Sequence, residues 1–245
     1  MAVKFNVNKA IQDFKATGGT TSFLPSLRQV LVFMQNDKNI NTMQEVAWLL
    51  ATAKVESDYS LQRWESDFLC GKQGVPYNGQ PCQRAINYYR STNGKRNYFD
   101  LGTDKNGMAY FGRGLIQLTG KLNYETYGKI IGVNLVEDGD KAMIPKNSYL
   151  IASEYFKKRK VFDYANQNNF PMARKSVKGT SEGWQATKKV YDMWIGILKQ
   201  PNIKFTSKKV INKDRRTKIM LYSIMFLTTL GFAYSLYSLT RPNKR

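Results

Sequence analysis

The sequence predicts a mainly α fold: a helical domain with long loops over residues 1–200, a basic linker at 201–218, a single transmembrane helix at 219–239 and a short basic tail at 240–245. Three observations predict it. Apolar residues recur at helical spacing in several segments of the first 200 residues. Residues 71–107 break that pattern, being rich in Gly, Asn, Pro and Tyr, and read as a long loop region of the kind that often lines a site. Residues 219–239 hold no charged side chain over 21 positions, about the length that spans a bilayer core as helix.

The elements follow in order. Residues 1–10 lack the apolar run of a secretory signal, so export by a standard signal peptide is not expected, and a helix-like segment follows directly. Pro25 is placed to open a helix through Leu27, Val30, Leu31 and Met34, and the polar turn Asn36-Asp-Lys-Asn39 ends it. A second helix starts with Asn41 or Thr42 as cap and sets Val46, Ala47, Leu49, Leu50 and Ala53 on an apolar face. That helix delivers Glu56 near its C-terminal end. After Thr119-Gly120, segments 121–131, 146–160 and 180–198 show helical spacing, the last presenting Trp184, Val190, Trp194 and Leu198. Residues 201–217 are polar and basic, suited to a linker or to anionic headgroups. A buried core helix is the alternative for 219–239, but no polar face recurs at helical spacing and basic residues crowd both borders. A membrane anchor is the better reading, with its orientation open because both flanks are positive.

Charge narrows the partners. The net charge is +20; residues 1–200 hold 28 Lys and Arg against 17 Asp and Glu, and residues 201–245 hold 10 against 1. Such a field attracts nucleic acid, anionic lipid or an anionic cell wall alike. No basic helix with periodic aromatics appears, so nucleic acid is not the expected partner. The absence of histidine excludes Ser-His-Asp and Cys-His catalysis and every His-ligated metal site, and two cysteines cannot form an all-cysteine zinc site, which needs four thiolates. No metal or cofactor is expected. Cys70 and Cys82 flank a Gly/Pro/Asn-rich loop, and both a disulfide and two reduced thiols fit that arrangement.

The candidate chemistry lies in two carboxylates, Glu56 and Glu65, nine residues apart. Hydrolysis of a glycosidic bond needs one protonated carboxyl to donate to the leaving oxygen and one carboxylate to activate water or attack carbon. Glu56, just past an apolar helix face, suits the protonated role, because partial burial disfavours its charge; Glu65, beside Arg63 in a polar segment, suits the ionised one. Downstream lies Tyr110-Phe-Gly-Arg-Gly-Leu-Ile-Gln-Leu-Thr-Gly-Lys-Leu-Asn-Tyr124. Its glycine pair permits tight backbone, Gln117 and Thr119 share one face if the segment is extended, and Asn123 with Tyr124 offers an amide and a ring. Amide, hydroxyl and aromatic groups together are what a sugar site needs.

The Tyr110–Tyr124 block strongly resembles the signature of glycoside hydrolase family 19, the group of plant-type chitinases and phage endolysins, with a lysozyme-like helical fold. Phe23-Leu-Pro-Ser-Leu27 followed by Ala47-Trp-Leu-Leu-Ala-Thr-Ala-Lys-Val-Glu-Ser57 is similar to the segment leading to that family's catalytic acid. Glu65 is similar in spacing to the second carboxylate of compact phage members, and Gly132–Val136 and Ala152–Phe156 look like further landmarks. The resemblance covers roughly residues 23–198. It implies an inverting hydrolase: Glu56 as general acid, Glu65 as the base that activates water, Thr119 as the hydroxyl that holds this water, and Tyr110, Gln117 and Asn123 as substrate contacts, to which the ring of Tyr124 is added on its own chemistry. Arg113 is expected to organise the fold and the acidic site. Val55 stands where the family usually has His, Lys178 where it commonly has Asn, and the C-terminal span is not part of the usual catalytic domain.

The expected function is that of a peptidoglycan hydrolase cleaving β-1,4 bonds between alternating amino sugars, held in a viral or host cell membrane by residues 219–239. A chitinase acting on an N-acetylglucosamine polymer uses the same residues and is the nearest alternative. A catalytically silent wall-binding or virion structural protein is a third reading, and a membrane-lesion role for the C-terminal span a fourth. The sequence does not specify an oligomeric state.

Overall fold

The computed structural model describes residues 3–62 and 102–199, all within one unit, Met1–Gln200. Among the described residues the elements are α-helical, joined by turns, one short 3-10 helix and two isolated β-bridges. The first helix, α1 (Val7–Ala16), is capped by the Asn6 side chain, which accepts from Lys9 N at 3.0 Å. Next, α2 (Leu24–Met34) holds Pro25 in its first turn, where a missing N–H removes no helical bond, and buries Leu27, Val30, Leu31 and Met34 as their spacing predicts.

The start of α3 (Met43–Ser57) is fixed by a capping box: Thr42 Oγ1 accepts from Glu45 N at 3.1 Å, and the Glu45 carboxylate accepts from Thr42 N at 3.1 Å. From Val46 to Ala53 every residue is buried. The single apolar face expected of this segment is therefore apolar all round, the pattern of a helix enclosed by others. Asp58 closes it in the left-handed conformation (φ 53°), with its N–H on the carbonyls of Ala53 and Lys54.

Then follow α4 (Lys121–Ile131), the 3-10 turn Gly139–Met143, α5 (Pro145–Lys158), α6 (Val161–Asn166), α7 (Phe170–Lys178) and α8 (Trp184–Lys199). The expected helices at 121–131, 146–160 and 180–198 correspond to α4, α5 and α8. Two short helices, α6 and α7, fill the gap between the expected segments; the six residues of α6 are too few to display a helical period, and the nine of α7 show it only briefly.

The buried middle of α3 packs along α8 and against α6, with α1 against α8 and α2 against α5. Aromatic rings fill the seams. Trp48 of α3 stacks on Phe170 at 5.2 Å and meets Tyr191 edge-on at 5.9 Å, while Trp194 of α8 stacks on Phe14 at 5.1 Å. Trp194 Nε1 donates to the Tyr59 hydroxyl at 2.9 Å, which satisfies the buried indole N–H of Trp194. This packing holds the C-terminal end of α3 rigidly against the rest of the domain.

The segment 110–120 corrects one expectation. It is not extended: Arg113 pairs with Leu118 in an isolated bridge, and Gly114 (φ 74°) and Gln117 (φ 55°) turn the chain between them. Gln117 and Thr119 therefore do not alternate along a strand. Among the described residues no helix is long and apolar enough to cross a membrane. The linker, span and tail expected over 201–245 lie outside the described residues, as do Glu65, Cys70 and Cys82.

Candidate active site

The Tyr110–Tyr124 segment is built around Arg113, whose side chain is fully buried. Its Nε donates to Asp140 Oδ1 at 2.9 Å, and its Nη1 to the Ala109 carbonyl and the Tyr124 hydroxyl, both at 3.0 Å. Burial opposes its charge, but Tyr124 and Asp140 outweigh that and raise its pKa. Burial also lifts the pKa of Asp140, with Arg113 opposing. Gly114 lets the loop approach α5: a Cβ there would lie 2.6 Å from Ser148 Oγ and 2.9 Å from the Ala142 carbonyl. The Ser148 hydroxyl accepts from Leu115 N at 2.8 Å, and Ser57 at the end of α3 donates to the Leu115 carbonyl at 2.8 Å. The loop is thus bolted to α5 on one side and to the residue after Glu56 on the other.

Two of the expected substrate contacts sit beneath the surface instead. Tyr124 is 0% exposed, donates its hydroxyl to the Phe111 carbonyl and accepts from Arg113. Tyr110 is 2% exposed, and its hydroxyl lies 2.9 Å from the Val136 carbonyl and 3.2 Å from that of Thr103. The two rings are 5.2 Å apart. They prop the loop, and neither offers a face on which a sugar could stack.

Glu56 lies in the last turn of α3, with its side chain 21% exposed, and meets a buried partner: Arg174 Nη1 of α7 donates to Glu56 Oε1. The Arg174 side chain is only 4% exposed. The apolar shelter expected around Glu56 therefore includes a buried cation. The guanidinium is placed to stabilise the ionised Glu56 carboxylate. Val55, in the family's usual His position, is exposed and contributes no polar group to this pair.

Thr119 and Asn123 share a hollow of about 540 Å³ with Gly120, Lys121, Leu122, Glu125 and Arg159. Thr119 Oγ1 donates to the Gln117 carbonyl at 2.9 Å, which leaves its oxygen able to accept a hydrogen bond from water. Asn123 Nδ2 donates to the Thr119 carbonyl at 2.7 Å, and Gln117 Nε2 to the Gly114 carbonyl at 2.9 Å, so both amides brace the turn. Gln117 does not line this hollow.

Tyr155 connects the hollow to Glu56. Its ring carries the Arg159 guanidinium at 4.6 Å, and its hydroxyl bonds the Val177 carbonyl of α7 at 3.1 Å. Burial raises the pKa of its phenol, Arg159 opposes this, and Tyr127 and the Glu56 carboxylate add to it, which places that carboxylate within electrostatic reach.

Sequence reasoning did not single out Arg174, Arg159 or Ser57. For Arg174 a signal existed: Phe170, Ala173, Arg174 and Val177 fall at helical spacing, so the arginine stands on an otherwise apolar face. Lys178 is exposed and lies 3.9 Å from Glu182, away from the buried face of its helix. Among the described residues no group of three carboxylates or thiols is placed to hold a metal ion.

A family model described as chitinase class I, glycoside hydrolase family 19, matches residues 68–191. The match takes in the Tyr110–Tyr124 segment, the hollow and Arg174, and begins after Glu56 and Glu65. No curated protein matches the chain. The family match, on a helical domain in which the conspicuous Gly-Arg-Gly loop is bolted beside a carboxylate, identifies the chain as a glycoside hydrolase that belongs to family 19, the chitinase class I group, of the lysozyme-like superfamily.

Proposed function

We propose that the protein is a lysin that cleaves β-1,4 bonds between the amino sugars of peptidoglycan by an inverting, two-carboxylate reaction. The observation that carries the reading is Glu56 at the end of a rigid buried helix, held by Arg174. Glu56 gives its proton to the glycosidic oxygen as the bond to the leaving sugar breaks. Arg174 then stabilises the carboxylate that remains. Glu65, outside the described residues, is the proposed base: it takes a proton from the water that attacks the anomeric carbon from the opposite face. Thr119, its own proton committed to the Gln117 carbonyl, accepts a hydrogen bond from that water and fixes its direction. Asn123 sits beside it as a substrate contact.

The strongly basic chain favours an anionic wall over a neutral polymer as its target. Residues 219–239 are proposed as a membrane anchor that keeps the domain near the wall. The test is digestion of purified peptidoglycan and of chitin oligomers by the full-length chain, with mass analysis of the products and Glu65→Gln as control. Muropeptides with new reducing ends, lost in Glu65→Gln, are expected. Products from chitin alone would replace this reading with that of a chitinase, and products from neither would leave a silent wall-binding protein.

A further inference from the structure

The hollow that holds Thr119 and Asn123 is not neutral. Arg159 and Lys121 line it, both exposed, and Leu122 is 75% exposed at the same place. The hollow's one acid, Glu125, is engaged by Lys129 at 2.8 Å, which lowers its pKa. Arg159, by contrast, has no acidic partner among the described residues. Its guanidinium face rests on the Tyr155 ring at 4.6 Å, and it lowers the pKa of the Tyr127 phenol, which burial raises. A guanidinium carries five N–H donors in a fixed plane. With its face supported by a buried ring and its backbone at the end of α5, its edge is pre-organised for a planar, two-oxygen anion.

We infer that Arg159 is a specificity-determining residue that reads a carboxylate on the substituent of the wall polymer's alternate sugar, so that the enzyme favours this anionic polymer over the uncharged N-acetylglucosamine chain. The inference deepens the function proposed above and rests on it for the identity of the polymer. Thr119 and Asn123 place the sugar backbone in the hollow, Arg159 stands beside them, and Tyr155 joins Arg159 to the neighbourhood of Glu56. The carboxylate has two possible sources of the same chemistry: the lactyl ether on the sugar ring and the stem peptide attached to it.

The experiment is calorimetric titration of full-length Glu56→Gln, which leaves the ligand intact, with and without Arg159→Gln. Three probes separate the cases: N-acetylglucosamine hexamer, wall glycan stripped of peptide so that its lactyl carboxylates are free, and wall glycan bearing stem peptides. Arg159→Gln is expected to weaken binding of a carboxylate-bearing glycan about tenfold, the scale of a charge-assisted bidentate contact. The hexamer should change less than about twofold, and Arg159→Lys should fall between, keeping the charge without the fork. Loss on the stripped glycan assigns the contact to the lactyl group; loss only on the peptide-bearing glycan assigns it to the stem. Equal loss on the hexamer, no loss on any probe, or the same loss from Lys188→Gln on α8 would overturn the inference, the last by reducing it to long-range attraction. Hydrolysis is scored separately. An enzyme that binds the anionic glycan through Arg159 yet cuts nothing would overturn the proposed function alone, and one that binds none of the probes would overturn both.

Discussion

Among the described residues two arginines are enclosed, and they answer to opposite demands. Arg113 is sealed in the Tyr110–Tyr124 loop, where a carboxylate, a carbonyl and a phenol meet its donors and a glycine brings the loop close to α5. Arg174 is nearly as buried but points to the edge of the fold, where its partner Glu56 still sees solvent. The first holds a shape; the second holds the proposed acid. The most conspicuous motif of the chain is thus largely scaffold, and the cation beside the proposed acid comes from a short helix without a conspicuous pattern.

This difference is open to attack. Arg113→Leu should be the costlier for stability, by about 3 kcal/mol, because it strands Asp140 and the Tyr124 hydroxyl without their cation. Chemical denaturation measures it, and a loss under about 1 kcal/mol would show that the loop does not depend on its arginine. Arg174→Gln should invert the pattern, costing kcat about 30-fold, or about 2 kcal/mol of barrier, with a smaller stability loss, since Glu56 can turn to solvent. Equal damage to stability from both arginines would erase the distinction.

Alkaline titration probes the enclosed rings that support both regions. Burial pushes the phenols of Tyr59 and Tyr149 far above their ordinary 10.0, with Asp37 adding to the effect at Tyr149. These groups ionise in the unfolded chain first. Stability is therefore intact below about pH 10 and falls as pH rises beyond it, by up to about 1.4 kcal/mol per pH unit for each phenol. Denaturation midpoints measured from about pH 8 to 11 check this, and Tyr149→Phe should flatten the slope. The smallest effect expected is that of Tyr124→Phe, about 1 kcal/mol, from two hydroxyl bonds lost inside the loop with the ring retained. A large change in affinity for glycan with unchanged stability would return Tyr124 to the role of substrate contact.

Much of the helical frame was legible because its signals are local. Pro25 and the Thr42 capping box set two starts, and Gly120 and Gly132 bracket α4 at the residues where its period begins and stops. The site was less legible because its chemistry depends on depth. An aromatic in a sugar-site motif reads the same whether its ring faces a ligand or lies under the loop, and only the fold puts Tyr110 and Tyr124 underneath. Arg159 follows Lys157 and Lys158 at the end of α5, where a solvated basic run is the natural reading; the Tyr155 ring that orients it lies four residues back on the same helix. Arg174 alone left a trace in its spacing.

The central claim is that Glu56 is the proton donor. Its most direct test compares wild type and Glu56→Gln on two substrates: the wall polymer, whose leaving sugar needs a proton, and a nitrophenyl glycoside of the same amino-sugar oligomer, whose leaving group does not. A loss of about 1,000-fold on the polymer and under about tenfold on the aryl glycoside is expected, the range and pattern of lost general-acid catalysis. Equal losses on both substrates would contradict it and reduce Glu56 to a structural partner of Arg174.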